Sequence, residues 1–286
     1  MKKRSKIIIL VAFIAVTLLS IGAVIVTNYH SIYVFGEKQG FFKVPLPIEK
    51  SDECEFAEYS LGELKTDDRV SFDQSLMLIN TEYMLGEDFV PDVLEYRDTT
   101  VFMSRCMLDA YAELSAAVSE QTGKKLYVSS DLRTKEEQEV LYKEDPLTAT
   151  LPGASEHQTG LALDVYVAYY SGDGFVKSPS GRFVNSHAHE YGFIIRYPSY
   201  GEDVTGIRFE PWHLRYVGHP HSDAIYRNHT TLEEYIEGLE IGEWYEIDGY
   251  LVSRQSIGKA LTLPNNFESC IISPDNTGCY IITVNK

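Results

Sequence analysis

Residues 7–26 contain no charged side chain and follow the cationic run Met1-Lys2-Lys3-Arg4-Ser5-Lys6. Such a run, at about 1.5 Å rise per residue, reaches about 30 Å, the thickness of a bilayer's hydrocarbon core. The cations on its N-terminal side predict a cytoplasmic N-terminus and an extracytoplasmic remainder. A cleaved signal peptide is the alternative, although Ile21-Gly22-Ala23 is a poor small-x-small cleavage site. After a mixed, charged stretch the apolar pattern becomes periodic. Met107, Tyr111, Leu114 and Val118 fall at helical spacing with Gly123 as a stop, which predicts a helix over about 100–121. Residues 125–130 read as a strand. Thr134 with Glu137 forms a capping box that opens a helix through Gln138, Val140, Leu141 and Tyr142. Residues 161–165 read as an apolar strand interrupted by one carboxylate, Asp164. A short helix over 186–191 stops at Gly192 before a strand over 193–197. A second box, Thr231 with Glu234, opens a helix with the stripe Leu232, Tyr235, Ile236 and Leu239. From 244 to 284 strand-like runs alternate with turns. This order is α+β rather than a βαβ repeat. The chain divides into a membrane anchor (1–28), a stalk (29–73), a catalytic-sized domain (74–229) and a helix with a small β appendage (230–286).

Composition narrows the class. With 44% apolar and 23% charged residues, the chain is ordinary globular material, which excludes disorder and collagen-like structure. A net charge of −17 leaves no basic surplus to displace phosphate counterions, so nucleic acid is not a partner. Four cysteines, Cys54, Cys106, Cys270 and Cys279, fall beyond the apolar run, where an oxidising exterior permits disulfides. Cys270 and Cys279 flank a turn-rich stretch between two apolar runs and could bridge across a hairpin; Cys54 and Cys106 are then the other pair by elimination. None lies beside a His motif, which argues against a catalytic thiol.

Two short stretches carry candidate chemistry: Ser155-Glu156-His157-Gln158-Thr159-Gly160-Leu161-Ala162-Leu163-Asp164 and Glu210-Pro211-Trp212-His213. A carboxylate inside a buried strand must be compensated, and a cation can do so. His157, Asp164 and His213 offer two imidazoles and one carboxylate, which leaves a fourth position on Zn²⁺, as catalytic zinc requires. Glu210 would stand beside that position as general base and then proton donor. Against this, Asp164 could pair simply with Arg196 or Arg215, and either histidine could be a satisfied core residue. His187 with His189 and His219 with His221 are competing pairs; the first is spaced by two on a helix and the second straddles Pro220, so both read as bystanders.

The two stretches match the motifs S-x-H-x-x-G-x-A-x-D and E-x-W-H, and together resemble the VanY-type D-alanyl-D-alanine carboxypeptidases, zinc peptidases that share a fold with the Hedgehog signalling domain. Leu78-Ile79-Asn80, Phe89-Val90-Pro91, Arg133 with Gln138, residues 191–198 and Arg215-Tyr216-Val217-Gly218 extend the resemblance over about 75–220. It implies a Hedgehog/D,D-peptidase-like domain with an antiparallel sheet and flanking helices. Carried over by position, it makes His157, Asp164 and His213 zinc ligands and Glu210 the catalytic acid/base. Arg133 would stabilise the oxyanion or hold substrate, and Gln138, Ser155 and Tyr197 would hydrogen-bond the peptide. The chain departs from the pattern at Asp131-Leu132, where the family usually has Gly-Tyr, which puts substrate preference in question.

The expected activity is removal of the terminal D-alanine from peptidoglycan stem pentapeptides by an enzyme anchored in the cell membrane, with a role in glycopeptide resistance. The alternatives are an L,D-carboxypeptidase acting on tetrapeptides, an endopeptidase cutting within the stem, and a zinc-bearing cell-wall binding module without turnover. An intact Glu210 argues against the last.

Overall fold

The computed structural model describes residue 17 and residues 28–41, 43–51, 55–146 and 149–285. Apart from Thr17, the anchor expected over 7–26 lies outside the described residues. Among the described residues no helix is long and apolar enough to cross a membrane. The chain divides into two units, Met1–Phe42 and Lys43–Lys286. In the first, Tyr29–Lys38 is a helix, and the rings of Phe35 and Phe41 meet edge-on at 6.1 Å.

The second unit holds the strands, in chain order β1 (Glu49–Lys50), β2 (Phe56–Tyr59), β3 (Val70–Phe72), β4 (Val93–Glu95), β5 (Phe102–Ser104), β6 (Tyr127–Ser130) and β7 (Ala162–Tyr166). They continue with β8 (Phe193–Ile195), β9 (His213–Tyr216), β10 (Trp244–Ile247), β11 (Tyr250–Ser256), β12 (Leu261–Pro264), β13 (Ser269–Pro274) and β14 (Cys279–Asn285). A four-stranded antiparallel sheet runs β6-β7-β9-β8 and a six-stranded sheet runs β1-β10-β11-β14-β13-β3, with the pairs β4–β5 and β12–β2 beside them. The α+β architecture expected from the sequence is present.

The four-stranded sheet carries the site. Leu163, Val165 and Leu214 bury one of its faces against Met107, Tyr111, Leu114 and Val118 of the helical segment that the apolar spacing anticipated. That helix, Leu108–Thr122, ends at a left-handed Gly123 as expected but begins later. Residues 102–104 are instead β5, followed by a 3₁₀ turn, because pairing with β4 and a bond from Ser104 N to Gly160 O (2.8 Å) hold that backbone extended. Both capping boxes form, Thr134 with Glu137 and Thr231 with Glu234.

The stalk expectation fails from residue 49 onward. β1 pairs with β10, β2 with β12 and β3, in parallel, with β13. Phe56, Tyr59, Leu64 and Val70 share a core with Trp244, Leu261, Leu263 and Ile272, and Phe56 stacks on Trp244 at 5.2 Å. These strands are two to four residues long, too short to show a period, and their partners lie near the other end of the sequence. The C-terminal β structure is present but is not a separate appendage. Leu76, Leu78, Ile194 and Val217 form one core with Ile225, Leu232, Tyr235, Ile236, Tyr245, Val252 and Ile281.

The Cys270–Cys279 bridge is also corrected. Pro274 faces Tyr280 across the hairpin, Cys270 faces Val284 and Cys279 faces Ser256 on its other side. Asp275, not Cys270, meets Cys279, through a 2.9 Å backbone bond. Cys106, Cys270 and Cys279 are free, and Cys54 lies outside the described residues.

A fragment of residues 74–286 would lack β1, β2 and β3 and leave the apolar face of the C-terminal sheet uncovered. We expect residues 43–286 to melt in one cooperative transition and residues 74–286 to show none, as followed by near-ultraviolet circular dichroism. A native-like transition in the shorter fragment would refute this account of the boundary.

Candidate active site

Antiparallel register assembles the centre. Asp164 on β7 is paired with Ser130 of β6 on one side and His213 of β9 on the other. Directly opposed residues share a face of the sheet, so these three stand together, opposite the face formed by Leu163, Val165 and Leu214. His157 arrives from a 3₁₀ turn, Glu156–Thr159, just before β7. Gly160 ends that turn at φ 71°, and a Cβ there would lie 2.5 Å from Val93 Cγ1, so both backbone and space demand glycine. On the other side of the cleft, His213 N donates to Glu210 O (3.1 Å) and Glu210 N to Tyr197 O (3.0 Å). Buried Asn185 fixes this turn from behind by donating to Pro211 O at 2.8 Å.

The three proposed ligands converge. His157 Nδ1 pairs with the Asp131 carbonyl oxygen at 2.8 Å, which aims Nε2 into the cleft, 3.4 Å from Asp164 Oδ2. His213 Nδ1 lies 2.9 Å from Asp164 Oδ1. One donor atom from each of the three lies within 4.8 Å of the others, and among the described residues this is the one His/Cys/Asp/Glu group so arranged. Burial pushes the Asp164 carboxyl up, but the two imidazoles outweigh it and hold the group well below the usual carboxylate range. Burial likewise works against a charged His213, yet its bond to Asp164 and the nearby Glu156 carboxylate raise the imidazole to about 9. A cluster that holds its carboxylate ionised and draws positive charge onto an imidazole is chemically suited to a cation. The donor types and their number fit zinc with one open position.

The rival pairing of Asp164 with Arg196 or Arg215 is not what the fold makes. Both guanidiniums bind Glu156 Oε1 instead, Arg196 through Nε at 2.7 Å and Arg215 through Nη1 at 2.5 Å. Burial would raise the Glu156 carboxyl, but Arg215 and Arg196 overcome it and keep the group ionised. Its other oxygen, Oε2, faces His213 Nε2 at 3.5 Å, so the second ring nitrogen of that ligand has a carboxylate behind it, the arrangement that orients metal-bound imidazoles. Sequence reasoning missed Glu156. The one available signal was an acidic residue inside the first motif, next to a ligand, with no assigned role.

The other candidates line the same cleft, about 580 Å³ in volume: Glu210, Arg133, Gln138, Ser155 and Tyr197. Half-buried Glu210 reaches within 4.0 Å of His213 Nδ1. Burial raises its carboxyl, neighbouring Asp164 adds to the rise and His213 opposes it, which is the tuning expected of an acid/base group. Arg133 donates to Gln138 Oε1 (2.8 Å) and Ser130 Oγ (2.7 Å). Gln138 is buried and its amide also donates to Thr150 O at 2.7 Å, so it braces Arg133 from within the cleft. Tyr197 packs its ring 5.0 Å from that of His213. At the departure Asp131-Leu132, the Asp131 carboxylate is taken up by the backbone, Oδ2 accepting from Phe102 N at 2.6 Å. The remaining histidine pairs stay apart from the centre. His187 bonds Glu190, His189 and His219 share Asp223, and His221 is enclosed by Tyr235 and Thr283.

The model of the VanY family, described as D-alanyl-D-alanine carboxypeptidase, matches residues 101–219. A D-alanyl-D-alanine carboxypeptidase of Enterococcus faecium is 31% identical over 264 residues, which cover 83% of this chain and 84% of that protein. The chain belongs to the VanY D-alanyl-D-alanine carboxypeptidase family. Other members of the group agree with this placement. The bifunctional D-Ala-D-Ala dipeptidase and carboxypeptidase VanXYC of Enterococcus gallinarum is 35% identical, covering 58% of this chain and 95% of its own. VanYB solved with D-alanine-D-alanine superposes at a TM-score of 0.51 with 27% identity, covering 58% of this chain and 99% of that one. The L,D-carboxypeptidase LdcB superposes at 0.53 with 30% identity, covering 68% of this chain and 95% of that one. A VanY from a VanB-type resistance cassette was solved with Zn(II). With the donor set present, this VanY-family chain is a zinc metallopeptidase, with His157, Asp164 and His213 as the residues that would hold the ion.

Metal ligation needs an unprotonated nitrogen, whereas His213 without metal carries a proton at neutral pH. Zinc uptake at pH 7 should therefore release about one proton, and affinity should fall as the pH is lowered. Calorimetric titrations in two buffers of different ionisation heat will measure this; identical heats in both would contradict it. His157→Ala should lose most bound zinc by metal analysis, and His187→Ala should keep it.

Proposed function

We propose that this enzyme is a D,D-carboxypeptidase that hydrolyses the terminal D-alanine of peptidoglycan stem pentapeptides ending in D-Ala-D-Ala. The observation that carries the reading is the place of Glu210, in the cleft beside the donor set but outside it. Zinc bound there supplies Lewis-acid chemistry, acidifying water and polarising a carbonyl. Glu210 then takes the proton of the attacking water and returns it to the leaving amine. A carboxyl raised by burial can do both. Arg133, braced by Gln138 and Ser130, has further N–H donors for the oxyanion or the substrate's terminal carboxylate. Ser155 and the buried Tyr197 wall complete the peptide's polar surroundings.

An L,D-carboxypeptidase acting on tetrapeptides is the second reading, favoured by the likeness to LdcB. Mass spectrometry of purified penta- and tetrapeptides after incubation with residues 43–286 separates the two: shortening of the pentapeptide by one alanine is expected, and shortening of the tetrapeptide alone would sink the first reading. Glu210→Gln should keep zinc and fold yet lose about 10²–10⁴-fold in rate. Near wild-type hydrolysis by that variant would overturn the role given to Glu210.

The charge-free run over 7–26 and its cationic flank support an uncleaved membrane tether with the catalytic unit outside the cytoplasm. There, trimming of D-Ala-D-Ala ends reduces the target of glycopeptide antibiotics. Full-length protein is expected to stay in the membrane pellet after a high-salt wash, and a mature chain beginning beyond Ala23 would argue for a cleaved signal instead.

A further inference from the structure

Glu156 has a second arginine contact to account for, and that contact leads out of the catalytic sheet. Arg196, with no side-chain exposure, binds Glu156 through Nε and presents its other two nitrogens to Glu233. The pair is bidentate: Nη1 to Oε2 at 2.8 Å and Nη2 to Oε1 at 2.6 Å. Glu233 lies on the helix Leu232–Gly238, which packs in the core shared with the C-terminal sheet. Asn80 Nδ2 holds its Oε1 from the other side at 3.3 Å. The outer side of Glu233 borders a cavity of about 780 Å³ between the Asn80–Tyr83 turn and that helix. A line of paired charges thus runs from Glu233 through Arg196 to Glu156, whose other oxygen approaches the far nitrogen of His213 at 3.5 Å.

We infer that Glu233 is a positioning residue for the zinc centre, acting through Arg196 and Glu156 on His213. The physical argument is one of charge sharing. Arg196 divides its positive charge between two carboxylates. With Glu233 in place, Glu156 keeps enough negative charge to draw the Nε2 proton of His213 and make that imidazole a stronger donor. Without it, Arg196 and Arg215 together over-neutralise Glu156, which then draws on the His213 ring less strongly. A weaker imidazole donor binds a dication less tightly. The inference rests on the zinc assignment and not on which stem peptide is cut.

The test is zinc affinity, measured by competition with a chromophoric chelator on the full-length protein. Losing an outer partner of a metal-bound histidine typically costs about 10–100-fold in metal affinity. Glu156→Gln should fall in that range, and Glu233→Gln, one link further out, near its lower end. Glu237→Gln, on the same helix but exposed and outside the line, should leave affinity unchanged. The double variant Glu156→Gln/Glu233→Gln should bind no more weakly than Glu156→Gln alone, because the effect of Glu233 passes through Glu156. Unaltered zinc affinity in Glu233→Gln, or an additive loss in the double variant, would overturn the inference even if the melting temperature falls, since a purely structural role moves stability alone. Should Glu233→Gln fail to fold, Glu233→Asp keeps the charge at shorter reach. It should weaken zinc binding by a smaller factor, and wild-type affinity there would likewise overturn the proposal. Absence of zinc from the wild type is a separate result that would remove the metal site itself.

Discussion

The structure depends on one buried carboxylate. Glu156 has no exposure to solvent and is gripped by two equally buried guanidiniums, from β9 and from just beyond β8. Ion pairs of this kind contribute little net stability, because desolvation offsets most of the attraction, but removal of one member costs about 3–5 kcal/mol. What the cluster secures is geometry. Arg215 also donates to the carbonyl oxygens of Ser75 (2.9 Å) and Met77 (2.6 Å), tying the segment that enters the domain to the strand that carries His213. The first motif, the second motif, the entry segment and the helix Leu232–Gly238 all meet at this carboxylate and its two arginines.

That arrangement explains why the ligands could be read from the sequence and their support could not. His157, Asp164, Glu210 and His213 are legible because their chemistry needs particular residue types at particular intervals, and an aspartate inside an apolar strand is conspicuous. The helix Leu108–Thr122 and both capping boxes are legible because they depend on neighbours within four positions. Glu156, Arg196, Arg215 and Asn185 act on groups tens of positions away, and although the first three fall within the matched stretches, the local sequence does not say which groups they bind. Gln138 is legible as a member of the cleft, but its bond to Arg133 is not, since any arginine five positions away looks alike in sequence.

The boundary error has a similar origin. Residues 49–72 were read as a stalk because they are charged and lack a period. Their strands are completed only by β10, β12 and β13. A two-residue strand such as β1 carries no pattern by itself, and its identity is conferred wholly by its partner. The cysteine pairing failed for a related reason. Local turn chemistry correctly indicated a hairpin between Cys270 and Cys279, but register, set by side-chain packing on both faces of β14, decided which residues face each other.

The pairing of β3 with β13 bears on how the polypeptide is made. Ser71 meets Cys270 across 199 positions of sequence. At roughly 5–20 residues per second of synthesis, the early strands wait on the order of 10–40 s for the segment that will cover them. Through that interval Phe56, Leu64 and Val70 have no native surface to rest on, and the metal ligands on β7 and β9 sit in a half-finished molecule. Contacts so distant in sequence also slow the final closure, because the long intervening loop must be immobilised before any of them is made. Until β13 is made, the newborn chain therefore lacks the core that β2 and β3 share with the C-terminal sheet.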